Sequence, residues 1–112
     1  MEAKELRIGN LVNYRIIDEF DERKEWYEVS TIDAEDLNNI DEDYQPIPLT
    51  DEWLLKFGFE KIERFLYQNY ALQLIIRDNK IYFSRVHIES VHRLQNIFFA
   101  LTNEELTIKN EK

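Results

Sequence analysis

Ala71-Leu72-Gln73-Leu74-Ile75-Ile76-Arg77 runs into the turn Asp78-Asn79-Lys80 and out again through Ile81-Tyr82-Phe83-Ser84-Arg85-Val86, and the reading of this stretch decides the fold. Two runs rich in β-branched and aromatic residues flank a short polar turn, which is the pattern of a β-hairpin. Just upstream, Phe59 to Ile62 and Phe65 to Tyr70 are strand material around a charged turn, so 59–86 reads as a β meander. Just downstream the period changes. Val91, Leu94, Phe98 and Leu101 recur at spacings of three, four and three, one stripe of a helix over 89–103, and Ile97 widens it. Ser90 or Glu89 starts that helix and Asn103 ends it; the tail 104–112 is expected to fray after Ile108. The expected arrangement is one sheet, with this helix packed on it through Leu94, Phe98 and Leu101.

Moving outward toward the N-terminus, Thr50 is an N-cap and Asp51 and Glu52 sit in a first turn, where carboxylates favour the helix dipole. Trp53, Leu54 and Phe57 supply an apolar face and Gly58 a stop, giving a short helix within 50–58. Pro46 and Pro48 force extended backbone before it. Leu11 to Ile16, entered through Gly9-Asn10, and Glu25 to Ile32 form an N-terminal hairpin within 1–33 around a polar loop at Asp18–Lys24. Residues 34–49 are an acidic, extended connection whose periodicity leaves a short strand and a loop both open. No strand–helix–strand crossover of sufficient length repeats, so the class is α+β with an antiparallel sheet. The length of 112 residues is that of a single domain.

Composition narrows the function classes. The aromatic share is 13%, which suits a compact folded domain and argues against disorder. There is no cysteine, so disulfides and thiolate zinc sites are excluded. Met1-Glu2-Ala3-Lys4-Glu5-Leu6 lacks the apolar run of a signal peptide, and no stretch reaches the roughly 18 apolar residues of a membrane span. A cytoplasmic protein without a membrane is expected. Charge is the most informative bulk property. The net charge is −9, yet residues 18–52 carry fourteen acidic groups against only Arg23 and Lys24, a net of −12. Such a field repels nucleic acid and attracts basic proteins.

Three separated motifs carry a resemblance. They are Glu5-Leu6-Arg7-Ile8-Gly9-Asn10-Leu11-Val12, then Pro46-Ile47-Pro48-Leu49-Thr50 continuing through Trp53-Leu54-Leu55-Lys56-Phe57-Gly58-Phe59-Glu60-Lys61. The third is Val86-His87 with His92-Arg93-Leu94-Gln95-Asn96-Ile97-Phe98-Phe99-Ala100-Leu101-Thr102-Asn103-Glu104-Glu105-Leu106. Together they make the chain resemble, over nearly its full length, a family of small proteins encoded in Bacteroidota genomes, often in prophages and other mobile elements. The resemblance implies no activity, cofactor or catalytic residue. It implies a setting, phage-linked and accessory, in which small acidic inhibitors of host defence, anti-CRISPR proteins among them, are found.

No constellation of catalytic residues stands out. His87 and His92 lie five apart, which does not share a helical face, so they read as capping or surface imidazoles with no metal site. Asp33, Glu35, Asp36, Asp41 and Asp43 lack the glycine and terminal glutamate of a calcium loop. Ser30, Ser84 and Ser90 sit in no nucleophile elbow, and Gly9 and Gly58 are too far apart for a phosphate loop. A protein that is not an enzyme and holds no cofactor is expected. Arg64, Arg77, Lys80, Arg85 and Arg93 near Tyr67, Tyr70 and Tyr82 make a basic strip that suits single-stranded nucleic acid, although the overall field opposes direct nucleic-acid binding. The favoured surface is acidic: Asp21, Glu22, Asp36, Asp41, Glu42 and Asp43, in loops, engaging a host or phage protein with a basic surface. A nucleic-acid-binding nuclease complex is the sharpest version of that partner. The alternatives are a nucleic-acid-binding module using the basic strip, or an assembly subunit of a phage. Phe99, on another side of the long helix, is an exposed ring suited to self-association.

Overall fold

The computed structural model describes residues 3–109. The fold is α+β, with two antiparallel sheets, a short central helix and a longer C-terminal helix. The expectation of one sheet is corrected: a three-stranded and a five-stranded sheet form. The chain divides into two compact units, Met1–Ile47 and Pro48–Lys112, at the proline-rich segment that bars helix and sheet continuity.

The first unit holds strands β1 (Leu11–Ile17) and β2 (Glu25–Thr31), a one-turn helix α1 (Ala34–Leu37) and a short strand β3 (Tyr44–Gln45). The sheet order is β2-β1-β3, antiparallel throughout. Gly9 takes φ 97°, a conformation costly for other residues, and its N–H donates to the Ile32 carbonyl at 2.8 Å, seating the entry to β1. The Asp18 carboxylate accepts from the N–H groups of Phe20 and Asp21, and the Asp18 N–H donates to the Lys24 carbonyl, which closes the hairpin loop. Residues 34–49, left open by periodicity, resolve into α1 and β3. Asp33 and Asp36 start α1 by a reciprocal capping box, each carboxylate accepting from the other residue's N–H. The core is small: Leu6, Val12, Ile32 and Tyr44, with Tyr14, Leu37 and Ile40 packed against it.

The second unit opens with α2 (Asp51–Lys56) and continues as β4 (Glu60–Glu63), β5 (Leu66–Gln68), β6 (Gln73–Arg77), β7 (Lys80–Phe83) and β8 (Val86–His87) before α3 (Val91–Thr102). The sheet is a meander in chain order. Thr50 does occupy the N-cap position of α2 with extended backbone, but its side chain makes no capping bond. Asp78 and Asn79 both take positive φ, the two-residue turn that matches strand twist in a hairpin. On β6, Leu74 and Ile76 turn inward, as does Leu72 just before it, while Gln73, Ile75 and Arg77 face out, the alternation of a half-buried strand. Ser90 caps α3 by accepting from the Arg93 N–H, and Asn103 ends it in the left-handed region with φ 60°.

Val91, Leu94 and Phe98 are buried as the stripe requires, and Leu101 is not. It is 57% exposed, because the helix ends one residue later and its last turn faces solvent. His92 is buried as well, which corrects its reading as a surface imidazole. Phe99 is half-buried and not a fully exposed ring. Lys109 donates its backbone N–H to the Lys56 carbonyl at 2.6 Å, satisfying an acceptor at the end of α2. The fraying expected after Ile108 falls mainly on 110–112, which lie outside the described residues.

Candidate functional site

The acidic residues of the first unit divide by what their carboxylates already do. Asp43 is half-buried and holds Arg15: its Oδ1 accepts from Nε at 2.9 Å and lies 2.8 Å from Nη2. The Arg15 Nη1 also reaches the Glu25 carboxylate at 3.4 Å. One cation thereby joins the loop before β3 to the start of β2, and its hydrogen bond to Asp43 raises the guanidinium pKa further. Asp36 lies in α1, where a loop was expected. It takes the Asp33 N–H on Oδ2 and the Tyr44 hydroxyl on Oδ1 at 3.1 Å. Burial, and then that bond to a carboxylate, push the Tyr44 phenol up to about 12. Asp21 accepts from the Arg23 backbone and side chain within the hairpin loop.

Glu22, Asp41 and Glu42 are exposed. Asp41 spends one oxygen on the Asp43 N–H. The six residues singled out from sequence thus fall into a supporting set, Asp21, Asp36 and Asp43, and an outward set, Glu22, Asp41 and Glu42. Asp36 and Asp43 tie α1, β1 and the start of β3 together, and Asp21 closes the hairpin loop on itself through Arg23.

Sequence reasoning missed a second feature of this unit. β2 is exposed along nearly its whole length, with Trp26, Tyr27 and Val29 uncovered at 44%, 48% and 52%. Nearby, Phe20 at the tip of the hairpin loop is 90% exposed. The signal was present as a strand apolar on both faces, but which strand lies at an edge is not written in its own residues.

In the second unit Arg64, Arg77, Lys80, Arg85 and Arg93 are all exposed, but the strip loses an aromatic platform. Arg77 and Lys80 face each other across the β6–β7 turn, and Arg77 lies over the Tyr82 ring at 5.5 Å. Tyr67 is buried, which removes one of the three expected stacking platforms, and burial raises its pKa. Tyr70 is exposed, yet its hydroxyl donates to Glu104 at 2.5 Å, which raises its pKa as well. A cavity of about 450 Å³ lies beside it, floored by Phe57, Phe98 and Leu106 and rimmed by Gln68, Glu105 and Lys109. His87 Nδ1 is 3.6 Å from the Glu89 carboxylate. Among the described residues, no group of three or more His, Cys, Asp or Glu is placed to hold a metal ion. Among the same residues, no helix is long and apolar enough to cross a membrane.

No family model matches the chain, and no curated protein or solved structure matches it either.

Proposed function

We propose that this chain is an accessory protein that acts by binding and not by catalysis, its acidic first unit docking on a basic, nucleic-acid-binding surface of a partner protein in the cytoplasm. One observation carries the reading. Residues 1–47 contain fourteen acidic and five basic side chains and so hold the whole net charge of −9, while residues 48–112 contain nine of each and are neutral. Charge gathered on one compact unit makes a directional field that speeds encounter with a cationic surface. Carboxylates on an ordered frame can occupy places shaped for phosphates, and Glu22, Asp41 and Glu42 are among those exposed. The resemblance to phage-linked proteins supports the sharper version, inhibition of a host defence nuclease. The basic strip supports the rival reading, a nucleic-acid-binding module, through exposed Arg77, Lys80 and Arg85.

The test begins with capture of partners on the immobilised protein, elution at high salt and purification of what elutes. Binding of that purified partner is then measured for the parent and for the triple change Glu22→Lys, Asp41→Lys, Glu42→Lys. The expected outcome is a loss of affinity of about tenfold or more, mostly in the association rate, with a weaker salt dependence in the variant. Nucleic acid should compete for the same partner. If Arg77→Glu, Lys80→Glu and Arg85→Glu abolish binding and the acidic changes are silent, the nucleic-acid reading replaces this one.

A further inference from the structure

β2 closes one side of its sheet, and no described strand lies beyond it. The direction of its backbone groups follows from the ladder. Arg15 donates its N–H to the Asp43 carbonyl on the β3 side, so odd-numbered residues of β1 address β3 and even-numbered ones address β2. The bonds from Asp18 to the Lys24 carbonyl and from Ile32 to the Asn10 carbonyl continue the even-numbered series at both ends of the hairpin. Register pairs Ile16 with Trp26, Tyr14 with Glu28 and Val12 with Ser30. Those β2 residues therefore spend their backbone groups on β1, and Tyr27 and Val29 point their N–H and C=O groups away from it.

Exposed edges are ordinarily blunted by lysine, proline, a bulge or a covering loop. Glu25–Thr31 contains no lysine or proline, and its pairing with β1 runs without a register shift. Trp26 stands on one face of the strand, and Tyr27 and Val29 stand on the other. An open backbone edge with uncovered apolar side chains on both faces is the geometry of β-strand addition.

We propose that the outer edge of β2 receives an extended basic segment of a partner protein, alternating lysine or arginine with apolar residues, as an added strand. The edge demands an extended chain, and the apolar side chains on both faces demand apolar partners. Glu28 on one face of β2, in a unit of net −9, favours positive charge, while Glu25 on the other face already meets Arg15. A second copy of the same strand would bring −9 against −9. This inference rests on the proposed engagement of a basic partner and narrows it to one edge and one backbone conformation.

The probe is a capped heptapeptide alternating lysine and valine, the length of β2, titrated into the intact isotope-labelled protein at low salt. Amide shifts and slowed hydrogen exchange, by about tenfold or more, are expected at Tyr27 and Val29. The same peptide with glutamate for lysine, or with proline at alternate positions, should not bind. Val29→Pro removes an outward N–H and leaves the β1–β2 ladder bonded, so it should abolish peptide binding without unfolding the sheet. Tyr27→Lys is the second variant, restoring the charge that natural edges carry, and it should weaken binding at least tenfold. Peptide binding unchanged in both variants, protection confined to other amides, or no binding at all would each overturn the proposal. So would a peptide-free dimer that protects Tyr27 and Val29, since the occupant is then a second copy. The purified partner separates this inference from the reading beneath it. Partner binding lost on reversal of Glu22, Asp41 and Glu42 but kept in Val29→Pro sinks the edge and spares the acidic surface; the opposite result spares the edge and sinks the acidic surface.

Discussion

The two units of this chain are held together by different physics. Residues 1–47 bury four apolar side chains in their core, Leu6, Val12, Ile32 and Tyr44. They lean on polar closures: the Asp33–Asp36 capping box, the Asp18 loop bonds, and Arg15 between Asp43 and Glu25. Residues 48–112 are electrically neutral and bury many more large side chains, with Leu54, Phe57, Phe59, Leu74, Leu94 and Phe98 among the most enclosed. The whole net negative charge, and the open edge, belong to the unit with the smaller core. A small core with polar closures leaves more of its surface free for recognition, at the cost of sensitivity to charge and pH.

The sharpest way to break that comparison is to truncate a core side chain of the neutral unit. Phe98→Ala should lower stability by about 3–5 kcal/mol in chemical denaturation, since a buried ring leaves a cavity behind. A Phe98→Ala protein that unfolds like the parent would show that the packing assigned to α3 is wrong. The next effect is smaller and belongs to the acidic unit. Tyr44→Phe deletes the hydroxyl donated to Asp36 and should cost about 1 kcal/mol. It should also change the alkaline limb. The Tyr44 pKa is raised from 10.0 to about 12 in the folded protein, so its contribution is complete below pH 10 and is lost as pH rises through about 12. Circular dichroism melts between those pH values should show a decline that Tyr44→Phe makes shallower; equal slopes would remove the Asp36 bond from the account.

Smaller still are the charge reversals. Glu22→Lys, Asp41→Lys and Glu42→Lys should each move stability by about 0–1 kcal/mol, because exposed ion interactions are weak and screened. Asp43→Lys is expected to be worse than any of them, since it sets a cation against Arg15. If Asp43→Lys melts no earlier than Glu42→Lys, the division into supporting and outward carboxylates fails. The least effect is expected at the end of α3, where Leu101→Ala should stay within about 0.5 kcal/mol of the parent.

Much of the fold was legible because its signals are local. The hairpin at Gln73–Phe83 is announced by β-formers around Asp78-Asn79, and α3 by its caps and by Val91, Leu94 and Phe98. Leu101 misled because periodicity states which face a residue occupies and not whether anything covers that face. α1 was missed because four residues are too few to show a period; its capping box depends on two aspartates that look like any other acidic pair.

For the candidate site the division is similar. Sequence alone determined that the charge is negative, that it is concentrated in residues 18–52, that no cysteine chemistry operates, and that runs of strands with few helices make the class α+β. These are sums and short-range patterns, and they survive any placement of the elements. Only the tertiary structure decided that the sheet is two sheets, that Asp21, Asp36 and Asp43 brace the unit while Glu22, Asp41 and Glu42 face outward, and that β2 is an edge. Asp21 meets its near neighbour Arg23, but the others depend on contacts between separate elements, such as Arg15 with Asp43 and Asp36 with Tyr44, and those neighbours are set by chain closure and not by position along the sequence.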